Sequence, residues 1–217
     1  MISLRLSREN IVAVAVEMAD EENLAAVTLR GIAARLDVHV TSLYNHVPTK
    51  VAVIEGMTQQ LITEAKLPTG PMDWAEWVRK FAAALRALAR RHPGAFEAFH
   101  HGPAQGERAA AAFESAFVAF RKGGFDTVSS YCAVKATMVA VLGLALDETA
   151  PYRATRSRTD LRVLPPQRHA RLREAERIAG SADSYDYLIE ALIAGFAGQR
   201  RARPAPAKRR GGRRKAS

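Results

Sequence analysis

Apolar residues return along this chain every three or four positions from about residue 7 to residue 199, and no stretch alternates as a strand would. The pattern predicts helices throughout. The first runs from Ser7, whose hydroxyl suits an N-cap, to about Glu22, with Ile11, Val14, Ala15, Met18 and Ala19 on one face. Thr28 caps a second helix with the stripe Leu29, Ile32, Ala33 and Leu36. "DVHV" turns the chain into a brief third helix over about 40–46. Pro48 suits the first turn of a fourth, where its missing N–H costs nothing. Val51, Ile54, Thr58, Leu61 and Ala65 carry that helix toward Pro68.

"KLPTGPMD" interrupts the period and is the expected linker. Longer helices are predicted beyond it, at about 72–91, 105–122, 126–148, 166–179 and 184–199. The first buries Trp74, Trp77, Val78, Phe81, Leu85 and Leu88; the second carries Phe113, Phe117 and Phe120 and stops at Gly123-Gly124. The helix at 126–148 is apolar nearly all round in its second half, which predicts a central place. "PYRATRSRTDLRVLPP" reads as a long loop. The expected fold is all-α: a helix-turn-helix unit of three helices within residues 1–66, a helical bundle over 67–199 and a tail at 200–217.

The second and third helices, joined by a tight turn, make the helix-turn-helix. Leu43 and Val47 are four apart and, with Val38, point back at the unit. Val40, Thr41, Ser42, Tyr44, Asn45 and His46 then face outward. Val40 and the Thr41 methyl suit thymine methyls; Tyr44 and Asn45 suit base edges or phosphates. Ser42, His46 and Lys50 flank them, and Thr28 opens a helix whose free N–H groups suit a phosphate. On spacing alone, a hairpin with a merely wet polar face explains the stretch as well.

"VTLRGIAARLDVHVTSLYNHVPTKVAVIEGM" resembles the DNA-binding region of the tetracycline-repressor (TetR) family of bacterial transcription regulators. The shared residues are Thr28 and Arg30, Ile32 to Leu36, Leu43-Tyr44-x-His46, and Lys50. The resemblance covers roughly residues 7–65. It implies that Arg30, Val40, Thr41 and Tyr44 read bases while Thr28, Ser42, His46 and Lys50 contact phosphates. Asp37 stands where the family usually has Gly, and tolerates the left-handed conformation better than most residues. His39 stands where Ser or Thr often caps the recognition helix. "WVRKFAAALRALARRHPG" and "FRKGGFDTVSS…VLGLALDE" look like the branch of the tetracycline repressors themselves. The resemblance implies that the C-terminal bundle binds a small-molecule effector and forms a homodimer, and that the protein is a repressor released from its DNA operator by that effector. In that branch a His-x-Gly lies near a metal-chelated drug. Here His100 and Asp147 fall at comparable places but Val139 replaces a needed His, so no metal is expected.

Charge adds less than its total suggests. The net charge is +10, but nine basic residues and no acid lie within 200–217, so the chain before the tail is close to neutral. The tail, with Pro204, Pro206, Gly211 and Gly212, is expected to be disordered. It either attracts nucleic acid without sequence preference or serves only as a solvated extension. A single cysteine, Cys132, in an apolar helix reads as inert core. The opening "MISLRLSREN" lacks a signal-peptide run, and "ATMVAVLGLAL" at 136–146 is short for a membrane span, so a cytoplasmic protein is expected. The six histidines show no metal spacing and there is no phosphate loop, so neither enzyme activity nor a cofactor is expected. Phe81, Leu85, Phe99, His100, Phe117, Tyr131, Lys135 and Met138 are the candidate effector pocket. Dimer contacts are expected from 126–148 and 184–199, through residues such as Leu142, Leu188, Leu192, Ile193 and Phe196. Two other readings compete with a regulator: a non-specific architectural protein acting through its tail, and a helical ligand carrier.

Overall fold

The computed structural model describes residues 6–101, 106–149, 169–179 and 184–202. Among them are α1 (Arg8–Glu21), α2 (Leu29–Arg35), α3 (Val40–Leu43), α4 (Lys50–Glu64), α5 (Trp74–Arg91), α6 (Glu107–Lys122), α7 (Thr127–Thr149), α8 (Ala170–Ala179) and α9 (Ser184–Ala202). No strand occurs among the described residues. The expected loop at 151–166 and all of the tail beyond Ala202 lie outside them, as does the side chain of His100.

Side-chain oxygens set the helix starts. The Ser7 hydroxyl accepts from the Asn10 amide (3.2 Å), Thr28 from Gly31 (3.0 Å), and Asp73 from Ala75 (2.8 Å). The fourth helix starts one cap later than its proline suggests. Thr49 accepts from the Ala52 amide at 3.1 Å, so Pro48 precedes the cap and lies outside the first turn. That helix also ends at Glu64, because Ala65 turns extended, well short of Pro68. Two 3-10 turns, Leu24–Ala26 and Ala95–His100, were not anticipated. Both are too short to leave a helical period in the sequence.

Two left-handed residues stop helices in the same way. After α6, Gly124 has φ +91°. Its amide donates to the Arg121 carbonyl and that of Phe125 to Phe120, the paired bonds that close a helix C-terminus. Phe125 then packs on Phe120, ring centroids 5.1 Å apart. After α2, Asp37 takes φ +54°. The Asp37 amide donates to Ala34 (3.3 Å) and that of Val38 to Ala33 (3.0 Å). The expected turn is therefore present with Asp where glycine would be unstrained. Asp37→Gly should raise stability by up to about 1 kcal/mol. Denaturant titration of the two proteins checks it.

Ile11 and Ala15 of α1, Ile32 of α2, Leu43 of α3, and Val53, Met57 and Leu61 of α4 are fully buried. Val51, expected on the inner face of α4, is exposed. Beyond the linker the core is aromatic. Trp74, Phe120, Phe125 and Phe196 form one set of ring contacts, and Trp77 stacks on Phe81 with centroids 4.8 Å apart. The two cores are continuous, because α1 and α4 pack on the 3-10 turn at Ala95–His100.

The helix α7 is central on one face only. Ser130, Ala133, Val134, Thr137, Val141 and Ala145 are buried where it meets α5, α6 and α9. Val128, Tyr131, Cys132, Ala136 and Val139 are exposed. Cys132 is therefore a surface residue of the chain and not core. By length and composition alone α7 is apolar enough to cross a membrane; its buried face packs within the bundle. Glu148 near its end is held by Arg86 (2.7 Å) and Arg90 of α5. Burial works to raise the Glu148 carboxyl, but the two guanidinium groups outweigh it and hold it below the usual range. The tie is whole above that usual range and is lost as pH falls through the lowered one.

Candidate nucleic-acid interface

The second helix of the helix-turn-helix is very short. Four residues, Val40–Leu43, are α-helical, and hydrogen bonds from the His46 and Val47 amides to the Leu43 carbonyl (2.9 and 2.8 Å) carry the coil on to Val47. A single helical turn does not hold itself together in water. Its anchors are Leu43 and Val47, both fully buried, with Val38 packed beside them. His39 makes no side-chain cap, as its place at the helix start suggested.

With Leu43 and Val47 turned in, the rest of the coil faces out. Thr41, Tyr44, Asn45 and His46 are exposed; Val40 and Ser42 are half-buried. Arg30, the second residue of α2, and Lys50, the first of α4, are exposed on either side in sequence. Thr28 is exposed too, but its oxygen already accepts from Gly31, which leaves its O–H to donate outward. Glu9, in the first turn of α1, lies close enough to His46 to feel it. A backbone hydrogen bond, then the Ser7 hydroxyl, and more weakly Arg8 and His46, hold its carboxyl below the usual range.

The structure thus brings the nine expected residues onto one helix-turn-helix and its immediate flanks. It adds Thr49, an exposed cap directly before Lys50. The signal for it was a Thr after Pro48 and before a helical period, which the proline masked.

The candidate pocket residues divide. Phe81 and Leu85 are buried on the inner face of α5. Phe99 and Met138 are half-buried and pack against the core, Phe117 is half-buried, and Phe99 meets Phe96 at 4.9 Å. Tyr131 and Lys135 are instead exposed on α7, Tyr131 by 64%. They stand on the face of α7 that the other described residues leave open, opposite Ala133, Val134 and Thr137. The physical reason is that a helix with apolar residues on more than one face does not reveal which face its own bundle covers. Among the described residues no three His, Cys, Asp or Glu side chains converge as a metal site.

No protein-family model matches the chain. It is 30% identical over 204 residues to an HTH-type transcriptional regulator of Saccharopolyspora erythraea, an alignment covering 88% of this chain and 85% of that protein. It is 28% identical over 201 residues to the class D tetracycline repressor protein of Escherichia coli, covering 88% and 89%. Ligand-free ActR of Streptomyces coelicolor superposes with a TM-score of 0.74 at 23% identity, over 92% of this chain and 98% of that one. The same TetR family protein in complex with actinorhodin gives 0.72, over 89% and 96%. At that identity the structural likeness is one of fold.

Proposed function

The chain belongs to the TetR family of HTH-type transcriptional regulators, and from that premise we propose that it is a cytoplasmic, homodimeric repressor whose hold on a DNA operator is released by a small-molecule effector. The observation that carries this reading is the reading coil: Leu43 and Val47 fully buried beneath it, Thr41, Tyr44, Asn45 and His46 exposed above. Arg30, Val40, Thr41 and Tyr44 read bases; Thr28, Ser42, His46 and Lys50 hold the backbone, with Asn45 beside them.

The partner copy is argued from what one chain leaves open. Val128, Tyr131 and Val139 on α7 are 64–67% exposed, and Tyr187 and Leu188 on α9 are exposed as well. Around them lie Ala136, Gly143, Ala191, Gly195 and Gly198, and a side chain added at any of those three glycines would meet nothing. Two neighbouring helices with small and apolar outer faces suit close packing against a second pair. Ile193 and Phe196, expected at that interface, are buried in their own chain. The effector is placed in the bundle, against Phe81, Leu85, Phe99, Phe117 and Met138. ActR, of the same fold, is solved with actinorhodin bound. Effector binding favours a conformation whose two reading elements no longer fit the operator together, and occupancy draws the population off DNA.

Selection from random duplex DNA tests the reading. A palindrome is expected, with half-site centres about 34–36 Å apart, bound by a protein that sediments at twice the chain mass. Tyr44→Ala should weaken binding by about 1–3 kcal/mol, without unfolding a protein in which that side chain is 52% exposed. Lys50→Ala should flatten the salt dependence by about one unit. Uniform protection of any DNA would leave only the basic tail as the binding element.

A further inference from the structure

The turn after α5 reads Arg91-His92-Pro93-Gly94. Its proline cannot continue the helix, and its glycine lies directly on the end of α1. A Cβ at Gly94 would stand 1.8 Å from the Ala19 carbonyl oxygen, so backbone meets backbone there. One carboxylate of α1 holds this turn. Asp20 Oδ1 accepts from the Gly94 and Ala95 amides at 3.1 and 2.8 Å, and Asp20 Oδ2 faces His92 Nδ1 at 2.7 Å. On the opposite edge of the ring, His92 Nε2 faces Oε2 of Glu64, the last residue of α4, at 3.0 Å. The other Glu64 oxygen accepts from the Gln60 amide group at 3.1 Å.

Carboxylates only accept, and a neutral imidazole donates once. Both contacts are hydrogen bonds when both ring nitrogens carry protons, and the ring then joins two anions. The side chains of His92, Asp20 and Glu64 are only 16%, 21% and 31% exposed, so solvent competes weakly. The two nitrogens point apart, so the three residues do not converge on one point as metal ligands must. Asp20 and Glu64 belong to the two long helices of the DNA-reading unit, while His92 belongs to the bundle.

We propose that His92 is a positioning residue that clasps the DNA-reading unit to the bundle, so that the two reading elements of the dimer keep one separation. This rests on the regulator reading above. Without the clasp, each unit still folds and still reads its half-site, but the two no longer hold a common spacing.

The test uses the full chain and the palindrome it selects from random DNA. Wild type should discriminate against the same half-sites moved two base pairs apart. His92→Phe and Asp20→Asn should each lose about tenfold of that discrimination, with half-site sequence preference unchanged. His92→Gln, which reaches one carboxylate at a time, should fall between. A second readout needs no DNA. Spin labels at Ala34→Cys on α2 and Ala83→Cys on α5, in a Cys132→Ser background diluted with unlabelled protein, should give a narrow distance distribution that broadens in His92→Phe. Unchanged spacing discrimination and an unchanged distribution in that variant would overturn the clasp. If no palindrome is selected, the regulator reading fails, and the label distances alone decide the clasp.

Discussion

Phe120→Ala should be the most damaging single truncation in the bundle, costing about 3–5 kcal/mol. The ring is fully buried and makes contacts with three others: Trp74 at 5.4 Å, Phe125 at 5.1 Å and Phe196 at 5.7 Å. Those partners come from α5, from the turn that stops α6, and from α9. Collapse of one helix onto the void would pull it from the other two, so the cavity should stay largely open. In a chain of 217 residues the loss corresponds to a fall in Tm of roughly 10–15 °C. Thermal melts at fixed protein concentration would show it. A fall under about 2 °C would mean that the rings repack and that Phe120 is no hub.

Leu43→Ala should act differently, costing function before stability. The side chain removed is the fully buried anchor of a four-residue helix that has no side-chain cap. Truncation takes away about 2–5 kcal/mol of packing. Fraying of residues 40–46 relieves the defect at lower cost than unfolding the whole chain. Operator affinity should therefore fall about 100-fold or more, while Tm moves by only a few degrees. Amide exchange at His46 and Val47, whose N–H groups donate to the Leu43 carbonyl, should quicken in step with the lost affinity. Retained affinity beside a large loss of Tm would show that the coil is held by something other than Leu43.

Much of this architecture was legible in the sequence because the relevant forces act over one helical turn. Ser7 and Thr28 cap as their side chains suggest, and Leu43 and Val47 turn inward as their spacing requires. Asp37 takes the left-handed conformation that its short polar side chain tolerates. At the start of α4 two good signals stood side by side, Pro48 and Thr49, and the hydrogen bond of the threonine decided. On α7 the second half is apolar nearly all round and the first half mixes apolar residues with Ser129, Ser130 and Lys135, so little in the local pattern marks the face that meets the chain's own core. Cys132, expected in the core, is exposed for that reason, and Tyr131 and Lys135 stand beside it on the open face. The His92 clasp was out of reach because its partners lie 72 and 28 residues away and share no period with it.

The continuity of the core across the linker bears on how this chain tolerates being cut and rejoined. Regulators of this build invite chimeras, in which a reading head from one protein is grafted onto the sensing body of another. The residues that change composition, 66–73, look like the natural seam. Yet α4 lies on the near side of that seam and packs on the 3-10 turn at Ala95–His100 from the far side, and α1 meets the same turn backbone to backbone at Gly94. A graft joined at residue 66 would set a foreign α1 and α4 against that turn, with no assurance of an acid at positions 20 and 64 or of a small residue at 19. The interchangeable part is smaller. Residues 28–50 carry the nine proposed DNA contacts and return to the scaffold through Leu43, Val47 and the Thr49 cap. Exchanging that segment alone would re-address the protein to another operator while leaving its sensing machinery as it is.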